Sequence, residues 1–215
     1  MIVMSDYYWN EYIKFFINDD LLKETLKYHQ RTLTKYPKER FPSDMMIKLC
    51  QADTVKKSDI IIDLISVKKI QGIILEIYKE IKSIYLARAC NVTLPIVINF
   101  SNDGDMEQGI YSIDFEQDAL LRYKLITSCE SEVLRMVERE NNLIFSFFLN
   151  IEQALALYGE RGYISGIEEI GYVVNLLKQR FAGLNMLFLP EQEVTHDVGL
   201  NIKKCLLIES LGYRG

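Results

Sequence analysis

A short stretch of the sequence gathers side chains that can move protons or bind anions. Tyr158 and Tyr163 carry phenols, Arg161 a guanidinium and Glu169 a carboxylate. A tyrosine without an assisting group titrates near pH ~10 and is a poor general base at neutral pH, and the residue before Tyr158 is a leucine. Two interpretations stay open, a remnant of a functional site or, as we favour, a salt bridge and packing that hold a strand-to-helix junction. Gly162 and Gly171 would then permit a close approach.

Three other groups of polar residues are candidate sites by residue type. Lys68 and Lys69 form a basic pair, which is more often a solvated helix end than a phosphate site. The acidic stretch Asn102–Asp105 has the composition of a turn rather than of a cation site. His196 beside Asp197 has no visible nucleophile, so we expect both residues at the surface.

The cysteines and histidines do not predict a metal site. The four cysteines form no Cys-x-x-Cys pair, and the chain has only 2 histidines. This spacing is not that of a zinc centre, and four reduced thiols are the expectation instead. The cysteines are Cys50, Cys90, Cys129 and Cys205.

Composition and charge narrow the class of protein. The chain has 215 residues, 49% of them hydrophobic, which suits a globular domain with a substantial core. The formal net charge of −5 argues against a nucleic-acid partner, because phosphate contacts need clustered Lys and Arg. No apolar stretch approaches the ~18 residues of a membrane span, and Met1–Met4 is too short for a signal peptide. We therefore expect a cytoplasmic protein without a membrane partner.

Periodicity predicts helices around a few strands. Apolar and aromatic residues recur at helical spacing in Asp6–Lys27, which is typical of a docking surface or a core. Ser58 and Asp59 are predicted to cap a helix that buries apolar residues, namely Ile61, Ile62, Leu64 and Ile65. Further helices are predicted at Ile73–Ala89, Ser131–Glu140 and Glu168–Ala182, the last with Gly183 in the C-cap position. Strands are predicted at Ile96–Phe100 after Pro95, Gly109–Asp114, Leu120–Tyr123, Leu143–Ile151 and Cys205–Ser210. This order indicates an α+β fold.

The spacing Tyr158-Gly-Glu-Arg161-Gly-Tyr163, followed by Glu169 and Gly171, resembles the signature of SagB-type azoline dehydrogenases, a branch of the nitroreductase superfamily. Those enzymes use FMN to oxidise azolines to thiazoles and oxazoles in ribosomal peptides. The resemblance implies a nitroreductase-like α+β fold, in which helices wrap a central, mostly antiparallel sheet and two chains form an intertwined dimer. It also implies that the Arg-Gly-Tyr stretch opens a long helix.

Weaker matches to this family occur in the same order along the chain. Gly109–Asp114 matches a Gly-x-Tyr-x-x-Asp strand of the family, and Pro95 aligns with the last residue of its Pro-Ser-Gly-Gly-Ala-Leu-Tyr-Pro segment. Gly183 and the turn at Val198–Leu200 match later landmarks. The resemblance extends over roughly Ile61–Gly212, and its shared order is what supports it.

The sequence departs from this family where the family does its chemistry. The resemblance implies a Lys-Tyr pair for proton abstraction, but Leu157 precedes Tyr158. Loss of one positioned base costs about 10²- to 10⁴-fold in rate. Ile164 likewise stands where the family has an arginine.

The implied flavin contacts are also altered. Ala89–Asn91 replaces Ser-Gly-Gly, whose glycines let the backbone approach the flavin ring. Two lysines replace part of an arginine-rich phosphate motif, although lysine lacks the bidentate fork of arginine. Leu176 replaces the second residue of a Gln-Asn pair. The implied remnants of the cofactor site are Lys68, Lys69, Arg161 and Asn175, with Tyr158 as the remaining catalytic candidate.

Together these observations predict a catalytically deficient, SagB-type dehydrogenase-like subunit. Residues 1–45 would form an N-terminal extension with an aromatic partner surface, and residues 46–215 the nitroreductase-like domain. The subunit would act as a non-catalytic component that pairs, as a homo- or heterodimer, with an active FMN-dependent paralogue or a cyclodehydratase on a peptide substrate. FMN is expected at a shared interface and not on the chain alone. The alternatives are an active FMN-dependent azoline dehydrogenase or nitroreductase with an atypical site, and a peptide-binding scaffold.

Overall fold

The structure, a computed structural model, describes Lys27 and residues 62–87, 92–102, 106–128, 132–158 and 161–215. The described residues form seven strands: β1 (Asp63–Ser66), β2 (Thr93–Asn99), β3 (Gly109–Asp114), β4 (Ala119–Lys124), β5 (Leu143–Asn150), β6 (Leu184–Leu187) and β7 (Cys205–Tyr213). The helices are α1 (Gly72–Ala87), α2 (Glu132–Glu138), α3 (Ile151–Tyr158), α4 (Arg161–Arg180) and α5 (Glu191–Asp197). Short 3₁₀ turns lie at Val67–Lys69 and Ile126–Ser128.

The strands form one sheet in the order β1-β4-β3-β2-β5-β7-β6. All its pairings are antiparallel. The middle strand is β2, and its neighbour β5 pairs with β2 and β7 and is buried along its whole length. The predicted α+β class with an antiparallel sheet is therefore confirmed. The intertwined dimer stays a prediction.

Helices cover both faces of the sheet. Successive residues of a strand point to opposite faces, so β5 supplies Phe145 and Phe147 to one apolar cluster and Ile144 and Phe148 to the other. On the first face α1 and α4 pack, with the buried residues Ile77, Ile81, Val173 and Leu177. On the second face α2 and α5 pack, with the buried residues Leu134 and Val194. The result is a sheet between two helical layers.

Pro95 lies inside β2 rather than at its start. It pairs with Phe147 of β5, whereas pairing with β3 begins only at Ile96. Proline has no N–H to donate, and this position requires none toward β3. The strand begins three residues earlier than predicted, at Thr93.

Most predicted elements are confirmed. Strand β3 has the predicted bounds, and β4, β5 and β7 differ from the prediction by up to three residues at an end. Helices α1 and α2 lie within the predicted ranges, apart from the first residue of α1. These segments combine a clear period with β-branched and aromatic strand residues, which is where periodicity is most informative.

The predicted helix around Leu64 is wrong. Residues 63–66 form the edge strand β1, which pairs with β4. Ile65 is buried, whereas Ile62 and Leu64 are 45% and 50% exposed. A short apolar run does not distinguish a helix from a strand by periodicity, and β-branched isoleucines favour the strand. The proposed caps Ser58 and Asp59, and Ile61, lie outside the described residues.

Helix α4 differs from the prediction at both ends. It begins at Arg161, as the resemblance implied, and not at Glu168, as the periodicity predicted. It ends at Arg180 rather than at Ala182. Gly183 is therefore not its C-cap. A side chain at Gly183 would contact the ring of Tyr213 at 2.9 Å, so this glycine permits close packing against β7.

Two further expectations concern the whole chain. Residues 1–45 and the boundary after them lie outside the described residues except for Lys27, so the domain division stays a prediction. Among the residues that the structure describes, no helix is long and apolar enough to cross a bilayer.

Candidate functional site

The candidate site begins where β5 is followed by two consecutive helices. Asn150 ends β5, and its side-chain oxygen accepts a hydrogen bond from the Gln153 N–H at 3.0 Å. The asparagine therefore caps α3, because it satisfies an amide that has no partner within the helix. Two residues separate α3 from α4, so Tyr158 and Arg161 occupy the end of one helix and the start of the next.

The structure places the predicted site residues of this junction as follows. Leu157 and Tyr158 are the last two residues of α3, and their side chains lie outside the described part of the chain. Arg161, Tyr163 and Ile164 are half-buried in the first turn of α4. Tyr163 packs against the apolar cluster beneath α1 and α4. Tyr163 therefore forms part of the contact between α4 and the core.

Glu169 connects α4 to β2 deep in the molecule. Its residue is only 4% exposed, and its carboxylate accepts a hydrogen bond from the Thr93 hydroxyl at 2.8 Å. The hydroxyl of Tyr85, in α1, donates to the Thr93 carbonyl oxygen at 2.9 Å. Three elements thus meet at the first residue of β2. A buried carboxylate needs such donors because it has lost its water.

Gly166 allows α4 to approach this junction and was not singled out from the sequence. A Cβ at this position would overlap the Leu149 side chain of β5 and lie 3.3 Å from Val92. The expectation that Gly171 permits a close approach is wrong, because a Cβ there would meet nothing within 4 Å. The helix period offers the physical reason, since Gly166 faces the sheet and Gly171 is exposed.

The predicted cofactor-binding residues lie on two different elements. Lys68 and Lys69 are exposed in the turn after the edge strand β1, which is three strands from β2, or about 14 Å at the usual spacing. Asn175 is exposed on α4, about 21 Å along the helix from Arg161. The resemblance implies FMN, but Arg161 and Asn175 are too far apart on α4 to contact one phosphate group in a single chain. Ala89–Asn91, aligned with the flavin-contacting glycines, lies outside the described residues.

A second polar cluster lies where β3 turns into β4. The Tyr78 hydroxyl donates to Asp118 at 2.5 Å, and Lys82 forms an ion pair with the same carboxylate. The hydrogen bond from Lys82, and to a lesser extent the one from Tyr78, lowers the pKa of the Asp118 carboxyl group. Burial and the adjacent carboxylate raise the pKa of Tyr78, so this phenol is a hydrogen-bond donor and not a base at neutral pH. The cluster can fix the turn but cannot abstract a proton.

A buried arginine was also missed from the sequence. Arg122 of β4 forms an ion pair with Glu107 at 2.5 Å, and its residue is 8% exposed. Gly109 makes room for it, since a Cβ there would meet the arginine side chain. The Tyr111 hydroxyl donates to the Glu107 carbonyl oxygen at 2.6 Å, and burial raises the pKa of Tyr111 to about 12. Only the long-range pairing of β3 and β4 brings these groups together.

The remaining candidates carry no visible chemistry. His196 is exposed as expected, but the expectation of a surface Asp197 is wrong, because Asp197 is 1% exposed in the last turn of α5. The neighbouring Thr195 hydroxyl donates to the Glu191 carbonyl oxygen at 2.7 Å, so it serves the helix. No group of three or more His, Cys, Asp or Glu among the described residues is placed to bind a metal. Part of the Asn102–Asp105 turn lies outside them.

The fold of this chain, rather than its sequence, is similar to known proteins. No family model matches the sequence, and no curated protein matches it significantly. A "putative nitroreductase" from Anabaena variabilis superposes with a TM-score of 0.58 at 12% identity, over 87% of this chain and 45% of that one. The chain thus spans less than half of the Anabaena protein.

A second similarity is to a chain of the Escherichia coli microcin synthetase McbBCD complex, solved with truncated pro-MccB17 bound. It superposes with a TM-score of 0.50 at 15% identity, over 94% of this chain and 96% of that one. At such identities the likeness concerns the fold alone. The antiparallel sheet between two helical layers, with α4 packed over its centre, is therefore a nitroreductase-like fold.

Proposed function

We propose that this chain is a catalytically deficient, SagB-type dehydrogenase-like subunit. It pairs with an active FMN-dependent subunit or a cyclodehydratase during azole formation on a ribosomal peptide. The observation that carries the proposal is a nitroreductase-like fold in which the residues at positions of the implied chemistry are inert. Leu157 and Ile164 stand where the resemblance implies lysine and arginine.

The geometry of α4 supports a structural role for the retained motif. Glu169 is engaged with Thr93 in the interior, and Tyr163 packs on the core. Arg161 and Asn175 are about 21 Å apart along α4, whereas Lys68 and Lys69 lie on another element, the turn after β1. Side chains distributed in this way can stabilise the fold of the subunit, but they do not converge on one anionic ligand. We therefore place FMN at an interface shared with the partner.

The likeness to a synthetase chain supports the peptide pathway. That chain belongs to a complex solved with a bound pro-peptide, and the superposition extends over almost the whole of both chains. A subunit of such an assembly can keep its contact surfaces after it has lost chemistry, because one competent site in the assembly suffices. The peptide substrate and the partner enzyme are proposed on this basis.

The test measures flavin and mass on the same sample. The chain is purified alone and after co-expression with a candidate dehydrogenase or cyclodehydratase, and each sample is examined by absorbance and native mass. We expect flavin only in the complex. Stoichiometric FMN on the chain alone would overturn the proposal.

The second candidate function is an active FMN-dependent azoline dehydrogenase or nitroreductase with an atypical site. The retained Tyr158 favours it, since a bound water could assist the phenol. Turnover of an azoline peptide by the chain alone, reduced about 10²- to 10⁴-fold in Tyr158→Phe, would establish this alternative. Tyr163→Phe is the matched control, because it removes a phenol from the same motif. Binding of a leader peptide without flavin or turnover would instead identify a scaffold.

A further inference from the structure

The face of the sheet that carries α2 and α5 continues outward to the edge strand. Leu64 of β1 pairs with Leu121 of β4, and Leu121 pairs with Ser112 of β3. Ser112 in turn pairs with Ile96, which is buried in the cluster beneath α2 and α5. Directly paired residues of an antiparallel sheet share a face. Leu64 and Leu121 therefore lie on the same face as that cluster.

The outer part of this face is apolar and uncovered by the described helices. Ile62 and Leu64 are 45% and 50% exposed, and Leu121 is half-buried. Ile62 still donates a backbone hydrogen bond to Arg122, so it continues the strand with its side chain on the face of Leu64. Neither apolar cluster of the described residues includes these three. We call Ile62, Leu64 and Leu121 the edge patch.

The chain before the edge patch offers an occupant. It enters the patch directly at Ile62, and its segment Asp6–Lys27 is rich in aromatic side chains. The aromatic residues are Tyr7, Tyr8, Trp9, Tyr12, Phe15 and Phe16. About 35 residues separate Lys27 from Ile62, which corresponds to at most about 120 Å of fully extended chain, so the segment can reach the patch. Because the segment and the patch belong to one chain, their contact does not depend on the protein concentration, whereas contact with a second copy does.

We propose that the aromatic segment Asp6–Lys27 packs within the same chain against the edge patch. Its apolar side chains extend the layer of α2 and α5 over β1 and β4. Side chains packed in this way are not available to bind a partner enzyme. Intrachain packing and partner binding by this segment are therefore mutually exclusive. The inference does not depend on flavin or on the proposed function.

Trp9 is the only tryptophan in the chain and reports on this contact. Its emission maximum and its quenching by acrylamide are measured in the wild type, in Leu64→Lys and in Ile202→Lys. Ile202 is the matched control, because it is 53% exposed in the turn before β7. We expect Leu64→Lys to lower the ratio of packed to free segment about tenfold, with a red-shifted emission and stronger quenching. Ile202→Lys should leave both unchanged.

A second measurement leaves the sheet unaltered. In Trp9→Ala/Tyr12→Ala, hydrogen exchange of the β1 amides should become faster, while that of the β7 amides stays the same. Unchanged Trp9 emission in Leu64→Lys, or unchanged β1 exchange in the double variant, overturns the proposal. Emission that changes on about 100-fold dilution assigns the patch to a second copy and also overturns it. The same holds if Trp9 becomes protected only when a partner enzyme is added.

Discussion

Glu169 and Asp118 are both carboxylates held by a hydroxyl donor, yet they lie in opposite environments. Glu169 is in the interior, 4% exposed, between the central strand β2 and α4. Asp118 lies in the β3–β4 turn, and its side chain is 49% exposed beside Lys82 and Tyr78. The comparison shows that polar residues retained in a motif can be structural and need not take part in catalysis.

Burial sets what each carboxylate contributes. In the interior, water does not replace a lost donor to Glu169, so its contact with Thr93 matters for folding. At the surface, water replaces a lost partner of Asp118, and the ion pair with Lys82 contributes little. We therefore expect variants at the interior junction to have the larger effects on stability.

The largest effect is expected from Thr93→Val. This change replaces the hydroxyl by a methyl group of similar shape, so Glu169 loses a donor while packing is kept. We expect the free energy of unfolding to fall by about 2 kcal/mol, measured by urea denaturation with an unchanged m-value. Thr93→Ser keeps the donor and is the control. Equal losses in both variants would show that the methyl group, not the hydroxyl, holds the junction.

A smaller effect, with opposite signs at two positions, is expected on α4. Gly166→Ala forces a Cβ against Leu149, and the overpacking exceeds the gain in helix propensity, for a net loss of about 1 kcal/mol. Gly171→Ala adds a Cβ where nothing lies within 4 Å, so we expect a gain of about 0.5–1 kcal/mol. Thermal and urea unfolding of both variants measure the difference. If both changes stabilise the protein, α4 is not closely packed on β5.

The sequence predicted the centre of the molecule better than its edge. Strand β5 was predicted to within one residue, because its eight positions hold mostly strand-forming apolar residues. Strand β1 has four residues and depends on its pairing with β4, which local periodicity does not contain. Edge pairing of this kind is a tertiary effect, so the Leu64 segment was mistaken for a helix.

The candidate site shows the same limit. The motif placed Arg161 at the start of a long helix, where α4 begins. It did not predict that Glu169 would meet Thr93, since the two residues are 76 positions apart. Nor did it predict Gly166, whose role depends on Leu149 of another strand. Residue types were therefore readable from the sequence, whereas the partners of those residues were not.

The smallest effect is expected from Asp118→Asn, and it depends on pH. Asp118 has a positive φ of 50°, which asparagine tolerates, so the turn should be kept. Its pKa is lowered below the ordinary value of 3.8 by Lys82 and Tyr78, so the charged form stabilises the fold. That contribution is present above pH 3.8 and is lost as the pH falls through the lowered pKa. The wild type should therefore be more stable than the variant near neutral pH.

The difference between the two proteins should disappear at a pH below the lowered pKa, where Asp118 is protonated in both the folded and the unfolded wild type. Urea unfolding at a series of pH values measures it. Lys82→Met should reproduce the loss, and adding it to Asp118→Asn should cost less than the sum of the single changes, since both remove one interaction. A difference that stays constant with pH would mean that the amide distorts the turn. In that case the turn depends on the shape of residue 118 rather than on its charge, and the contrast with Glu169 would not be electrostatic.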